Sequence, residues 1–206
     1  MCVILIGNVK RDLHKQALEQ NGDGFSVYTE ELGLVKSPTE KQVKAALNKF
    51  GIWHYRIATS GKLGDINVHP FPICGGKYLL YHNGVLGNGL GEKSDTHALA
   101  DMLMHVDIKV ATSVIESLSE RNRFVIASAT DPKWFRVFGK WEAEAGVLLS
   151  HRMYTYPKYA GTTLAYKDLV KSKGSKKKVN EEFTDGKGKK AVNVKNWRDN
   201  IYEEID

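Results

Sequence analysis

The sequence has few of the features that mark secreted, membrane or metal-binding proteins. Its 206 residues include only two cysteines, Cys2 and Cys74, which form neither a disulfide framework nor a metal-ligand pattern. No apolar run approaches the roughly 20 residues that a membrane-spanning helix needs. The opening run CVILIG is too short for the apolar region of a signal peptide, and no basic segment precedes it. These absences predict a cytoplasmic protein with no membrane contact.

The positive charge is concentrated in one tract. The formal net charge is +6 and the pI is about 9.1, but residues 167–190 carry nine lysines against four acidic residues. Such a tract can contact nucleic acid or another acidic surface. The part from Lys171 to Lys190 has no arginine and a single aromatic residue, Phe183, so it lacks the interleaved side chains that stack on bases. A solvated, flexible segment is therefore the favoured interpretation, and nucleic-acid contact is the weaker alternative.

Local patterns predict strands, then helices, then more strands, which is typical of an α+β protein. The length favours one domain, 2–165, followed by a basic segment and a last helix around Trp197, 166–206. The predicted strands are 2–6, 25–29, 52–59, 78–82 and the runs FVIASAT, WFRVFG and GVLLS. The predicted helices are 11–20, one capped at SPTE (37–40) that continues through Phe50, one capped at Ser94, and one over 110–118.

The second residue is the first candidate for chemistry. Removal of the initiator methionine would make Cys2 the first residue of the mature chain, with a thiol and a free α-amine together. The amine pKa is about 7.7–8.0 and the thiol pKa about 8.5, so the amine can accept the thiol proton near neutral pH. Taken alone, Cys2 can equally be an ordinary strand residue.

Four further motifs follow in a fixed order, and together with Cys2 they resemble the class II glutamine amidotransferases. The glutaminase domains of that family open with cysteine and carry H-x-R-x-A-T-x-G, N-x-H-P, H-N-G and S-D-T/S. This sequence has HYRIATSG (54–61), NVHP (67–70), HNG (82–84) and SDT (94–96), and its NGDGF (21–25) is similar to a turn of several members. The motifs cover about residues 2–105, and the β-rich part from 124 to 150 resembles later strands of the same fold.

The resemblance implies a fold and a set of site residues. The fold is the four-layer αββα sandwich of the N-terminal-nucleophile hydrolases, with two stacked antiparallel sheets between helices. Cys2 would attack the side-chain amide of glutamine, and Asn83 with the Gly84 N–H would bind the resulting oxyanion. No cofactor and no metal are implied.

The resemblance also implies a set of substrate contacts. Arg56 would pair with the α-carboxylate of glutamine, and Asp95 would accept from its ammonium. Thr59 and Ser60 would contact the backbone of the substrate. Many members have histidine where this chain has Ser60, which affects those contacts but not the cysteine chemistry.

Each matched residue also has a purely structural interpretation. Arg56 can be a strand residue in a surface ion pair, and Asp95 can be a charge that stabilises a helix N-terminus. Asn83 and Gly84 can form an ordinary hairpin turn. The ordered set behind an N-terminal cysteine favours the functional interpretation over these three.

The function predicted from the sequence is hydrolysis of glutamine with supply of ammonia to a separate acceptor enzyme, because no acceptor domain follows residue 150. One alternative is a stand-alone N-terminal-cysteine hydrolase of γ-glutamyl or other amides. A catalytically silent, basic interaction protein is the other. The Arg56 and Asp95 pair favours an amino acid substrate over acylated amines.

Overall fold

The computed structural model describes residues 2–151 and two short strands beyond them, Phe183–Thr184 and Lys190–Ala191, which pair antiparallel. The chain divides into a first unit, Met1–His151, and a second unit, Arg152–Asp206. The predicted boundary at 165/166 and the predicted last helix lie outside the described residues, as does most of the lysine-rich tract. The candidate site belongs to the first unit.

Two antiparallel sheets form the centre of the first unit. The larger sheet has six strands: β1 Val3–Asn8, β2 Phe25–Thr29, β3 Gly33–Lys36, β4 Phe50–Tyr55, β9 Glu142–Glu144 and β10 Val147–Leu149. Their order across the sheet is β3-β2-β4-β1-β10-β9. The smaller sheet has four strands in the order in which they follow one another along the chain: β5 Phe71–Ile73, β6 Tyr78–Asn83, β7 Arg123–Ser128 and β8 Phe135–Phe138.

Helices cover the outer faces of the two sheets. The described helices are α1 Arg11–Gln20, α2 Glu40–Ala46, α3 Asp95–Leu103 and α4 Ile108–Leu118. On the larger sheet, His14 of α1 contacts three aromatic rings at centroid distances of 5.4–5.8 Å. On the smaller sheet, α3 and α4 enclose an apolar core around Leu80, Phe124 and Ile115. In this part of the chain, no helix has the length and apolar character needed to cross a membrane.

The inner faces of the two sheets pack against each other. Strand β1 contacts β6, and the rings of His54 and Tyr81 lie 6.4 Å apart across the interface. Each fully buried apolar side chain in such layers contributes about 1.5–3 kcal/mol to folding. The predicted α+β class with two antiparallel sheets is confirmed, and the order of the layers is compatible with a sandwich.

The start of α2 differs from the prediction. Thr39, not Ser37, is the N-cap, and it forms a capping box with Gln42. Ser37 has a φ of 51°, whereas an N-cap needs extended backbone, and its hydroxyl bonds to Asp65 instead. Pro38 therefore precedes the cap rather than opening the helix. The helix ends at Ala46, so Phe50 lies in β4 and not on a helical face.

Two strand predictions also need correction. The predicted strand 52–59 ends at Tyr55, so Arg56 follows β4 rather than lying within it. The chain bends away because the Asp23 carboxylate accepts a bond from the Ala58 N–H. The run GVLLS follows FVIASAT and WFRVFG closely, as antiparallel strands do, but it forms β10, which pairs with β9 and β1 in the larger sheet and not with WFRVFG. The short strands β3, β5 and β9 were not predicted.

Candidate active site

Cys2 lies at the edge of the interface between the sheets, directly before β1. Val3 pairs with Tyr55 of β4, so the backbone places Cys2 level with Arg56. The cysteine is 9% exposed, and its Sγ lies 3.6 Å from the Ile57 carbonyl oxygen, to which the thiol donates. Burial raises the pKa of the Cys2 thiol, and the bond to Ile57 partly opposes that rise. At neutral pH the thiol therefore keeps its proton unless a base removes it.

Arg56 is a buried cation, and one of its guanidinium nitrogens has no hydrogen-bond partner among the described residues. Its side chain is 2% exposed, and Nη2 donates to the Ser60 carbonyl at 3.0 Å and to the Lys62 carbonyl at 3.5 Å. Its Nη1 has no hydrogen-bond partner among the described residues. Burial lowers the pKa of Arg56, while the charges of Cys2, Asp23 and Asp95 raise it. An unpaired buried donor costs about 1–3 kcal/mol, and an anionic ligand would remove that cost.

Asp95 is the first residue of α3, after the N-cap Ser94, as the sequence predicts. One carboxylate oxygen accepts from the Thr96 N–H at 2.7 Å, and the other accepts from the Leu86 N–H at 2.8 Å. The carboxylate therefore holds the loop that follows Gly84. An oxygen accepts through two lone pairs, so this arrangement leaves capacity for an ammonium group.

Ser60 connects the two charged residues. Its carbonyl accepts from Arg56, and its hydroxyl accepts from the Asp95 N–H at 3.2 Å. Serine at this position thus fixes the loop to the start of α3. Thr59, one residue earlier, is exposed, and in the described part of the chain no hydrogen bond joins its side chain to Arg56 or Asp95. The structure brings Ser60 into the cluster but leaves Thr59 at its rim.

Asn83 ends β6 on the inner face, next to the strand that carries Cys2. Its side chain is buried, and its Nδ2 lies 2.9 Å from the Ser150 hydroxyl and 3.1 Å from His151 Nδ1. The Ser150 hydroxyl also accepts from the Ile4 N–H at 2.9 Å. One serine therefore ties Asn83 to a residue two positions after the cysteine. Neither Ser150 nor His151 belongs to a motif that sequence reasoning could use.

Gly84 follows in a position that no other residue can occupy. A Cβ atom there would lie 2.0 Å from the side-chain oxygen of Asn122 and 2.7 Å from His82 Nε2. The same Asn122 oxygen accepts from the Val85 N–H at 3.1 Å and lies 2.9 Å from His82 Nε2. His82 in turn bonds to Thr96 beside Asp95. The start of the loop after Asn83 is therefore held at two adjacent residues, Val85 through Asn122 and Leu86 through Asp95.

Asn122 is a structural residue that sequence reasoning missed, because it lies in the α4–β7 connection far from the motifs. Replacing Asn122 by alanine should lower the free energy of unfolding by about 1–3 kcal/mol, since the Val85 N–H and His82 lose a buried acceptor. Urea denaturation would measure this. Asn88→Ala, at an exposed position in the loop after Asn83, should change the free energy of unfolding by less than about 0.5 kcal/mol. Equal stabilities of the two variants would contradict the assigned role.

The described residues contain no group of three or more His, Cys, Asp or Glu side chains that could hold a metal ion. Nucleic-acid contact through Lys171–Lys190, the weaker alternative for that tract, receives no support, and the tract lies mainly outside the described residues.

Comparison with known proteins gives partial matches. No family model matches the chain. It is similar to the glutamine–fructose-6-phosphate aminotransferases (isomerizing) of three organisms. For Streptococcus agalactiae the identity is 28% over 108 residues, which is 52% of this chain and 18% of the relative. For Corynebacterium glutamicum the identity is 30% over 105 residues, which is 50% of this chain and 16% of the relative. For Aeropyrum pernix the identity is 35% over 69 residues, which is 33% of this chain and 11% of the relative.

These relatives are glutamine amidotransferases, and the chain spans less than a fifth of their length. The likeness therefore supports the predicted class of activity at a coarse level.

Proposed function

We propose that the first unit is a glutaminase of the class II amidotransferase type, which hydrolyses the side-chain amide of glutamine through Cys2. The observation that carries the proposal is that the strand register places Cys2 level with Arg56, a buried cation whose Nη1 has no hydrogen-bond partner among the described residues and whose charge acts to lower the pKa of the thiol. The layers of the fold support the N-terminal-nucleophile hydrolase type, with the nucleophile at the start of an interior strand.

The substrate is an amino acid because the site offers one cation and one carboxylate, and both residues bond to Ser60. Arg56 offers Nη1 to the α-carboxylate of glutamine, while Asp95 accepts from the α-ammonium. Ser60 holds these two residues in a fixed relation through its carbonyl and its hydroxyl. Binding both charged ends directs the amide carbon toward the sulfur, and such positioning contributes several kcal/mol to the lowering of the barrier.

The nucleophile needs a base, since burial raises the pKa of the thiol. After removal of Met1, the α-amine of Cys2 provides one, with an ordinary pKa of about 7.7–8.0. The amine takes the thiol proton as sulfur attacks the amide carbon. It then returns that proton to the departing nitrogen, so that ammonia leaves and a γ-glutamyl thioester remains. Water hydrolyses the thioester to glutamate and restores the thiol.

The oxyanion formed in the attack needs two donors. In the proposal these are the amide nitrogen of Asn83 and the N–H of Gly84, which follow each other at the end of β6. Their loop is held rigidly by Asn122 and Asp95. Donors that are fixed before the reaction stabilise the developing charge without reorganisation.

We further propose that the ammonia passes to a separate acceptor enzyme. The curated relatives are named for an aminotransferase acting on glutamine and fructose 6-phosphate. Since this chain matches only a small part of them, the chemical identity of its own acceptor is not taken from them.

The test is release of glutamate from glutamine by the purified full chain. Glutamine should be hydrolysed, and γ-glutamyl amides more slowly, while N-acyl amines without an amino acid end should not react. Cleavage of acylated amines in preference to glutamine would indicate the alternative class of N-terminal-cysteine hydrolases. No amide cleavage at all, from a chain whose mass shows that Met1 is removed, would overturn the proposal.

Replacing Arg56 by lysine should raise KM for glutamine by about 10- to 100-fold, because a single ammonium nitrogen cannot take the place of both guanidinium nitrogens, one on the Ser60 carbonyl and the other on the substrate carboxylate. Steady-state kinetics of glutamate release would measure this, and kcat should change much less. Arg136→Lys, in β8 on the smaller sheet, is the matched control. An unchanged KM in Arg56→Lys would exclude Arg56 from substrate binding.

A further inference from the structure

The hydroxyl of Ser150 joins the strand of the nucleophile to the proposed oxyanion residue. Ser150 is 1% exposed and follows β10, the neighbour of β1. Its backbone N–H donates to the Ile4 carbonyl at 3.0 Å, and its Oγ accepts from the Ile4 N–H at 2.9 Å. The same Oγ lies 2.9 Å from the Asn83 amide nitrogen. Ser150 is therefore fixed to the cysteine strand by two bonds and reaches Asn83 with the third.

Counting hydrogens at this contact leaves two groups unsatisfied. Oγ accepts from Ile4 and from Asn83 Nδ2, so its own proton finds no acceptor in the described part of the chain. Asn83 Oδ1 is buried and likewise has no partner. A buried polar group without a partner costs free energy. The proposed reaction needs Nδ2 as a donor to the oxyanion. In the orientation with Nδ2 toward Ser150, that nitrogen is already bonded to the Ser150 hydroxyl.

A half-turn of the Asn83 amide about χ2 gives the Ser150 proton an acceptor and gives Oδ1 a donor, and the one group then left without a partner among the described residues is the Nδ2 donor. The amide oxygen and nitrogen occupy nearly equal volumes, so the rotation needs no extra space. Oδ1 then accepts from the Ser150 hydroxyl, whose proton gains its acceptor. His151 Nδ1 suits either orientation, because a neutral imidazole nitrogen is a donor in one tautomer and an acceptor in the other. Nδ2 moves to the side where Oδ1 had no partner.

We propose that Ser150 is a positioning residue, which holds the Asn83 amide with its oxygen on the Ser150 hydroxyl and its nitrogen free to donate to the oxyanion. This inference rests on the proposed function and deepens it. Ser150 is bonded to Ile4, two residues after Cys2. It therefore fixes the position of the Asn83 donor relative to the strand that follows the attacking sulfur. The hydroxyl is the required group, since it alone at this contact can both accept from Ile4 and donate to Asn83.

The kinetic test compares variants of Ser150 in the full chain. Ser150→Ala should lower kcat for glutamine about 10- to 100-fold with KM within about twofold, because Arg56 and Asp95 are untouched. Ser150→Thr, which keeps the hydroxyl, should recover most of the activity. Ser26→Ala is the matched control: that serine is fully buried on β2 of the same sheet, its hydroxyl has no partner among the described residues, and its loss should leave kcat unchanged.

A double-mutant cycle separates positioning from a general structural effect. If Ser150 acts through Asn83, the Ser150→Ala change should have no further effect on kcat in an Asn83→Ala background. Independent, multiplying losses would overturn the inference, as would full activity in Ser150→Ala.

Neutron diffraction of the deuterium-exchanged wild-type protein tests the same inference without any activity. It distinguishes the deuterated amide nitrogen from the oxygen. Oxygen facing Ser150 supports the inference, and nitrogen facing Ser150 overturns it. An inactive wild-type protein with the amide oxygen on Ser150 would refute the proposed glutaminase but leave the orientation established.

Discussion

Replacing Cys2 by alanine is expected to abolish glutamate release, with a loss of at least about 1000-fold in kcat. The thiol is the only group that can form the γ-glutamyl thioester in the proposed reaction, and removal of a covalent nucleophile leaves only the contribution of binding and the oxyanion donors. A coupled assay for glutamate would measure the loss. Because the cysteine is buried and small, the variant should fold, as thermal unfolding would verify.

The matched control for this change is the second cysteine of the chain. Cys74 is also buried but lies in the apolar core of the smaller sheet, so Cys74→Ala should keep kcat while losing some stability. Intact mass must show that Met1 is absent from the active wild-type protein. Retained activity in Cys2→Ala, or full activity with Met1 in place, would exclude the mechanism.

The expected pH profile follows from the same residue. Burial raises the pKa of the thiol, so the reaction depends on a neighbouring base in its neutral form. The α-amine is neutral above a pKa of about 8, and the rate should therefore fall as the pH drops below that range.

Replacing Asn83 by alanine is expected to lower kcat about 100- to 1000-fold, the range found for loss of one oxyanion donor. KM for glutamine should change little, because the contacts to the charged ends of the substrate come from Arg56 and Asp95. The same steady-state assay separates the two constants. Asn88→Ala removes an exposed amide from the following loop and serves as the control.

The outcome that would contradict this role is a rise in KM with kcat unchanged. Asn83 would then contribute to binding of the ground state rather than to the oxyanion. A lower kcat and a higher KM, together with a lowered unfolding temperature, would indicate a structural role at the end of β6.

The features that the sequence predicts well are those with local causes. Ser94 caps α3 because its side chain accepts from the His97 N–H three residues later, a pattern visible in the sequence. The strand Phe25–Thr29 follows a glycine turn and is found as predicted. The motif residues Cys2, Arg56 and Asp95 were predicted to form one site, and the charge of Asp95 acts to raise the pKa of both Cys2 and Arg56; their joint role stays a prediction.

The features that it does not predict depend on contacts between distant segments. Whether GVLLS pairs with WFRVFG or with β1 is decided by how the whole sheet packs, and no short pattern carries that information. Ser150 and Asn122 reach the site from 67 and 37 residues beyond Asn83 and Val85. Ser37 failed as a cap for a related reason, since its hydroxyl bonds to Asp65 in a different loop.

The place of β1 in the larger sheet has a consequence for how the protein is made. Its neighbours are β4 and β10, and Leu5 pairs with Leu149 near the far end of the first unit. A ribosome adding about 5–20 residues per second needs roughly 7–30 seconds to deliver β10 after β1 has emerged. For that interval one edge of the nucleophile's strand stays unpaired. Enzymes that trim the nascent chain thus have seconds of access to the backbone around Cys2, a residue that is buried in the finished fold.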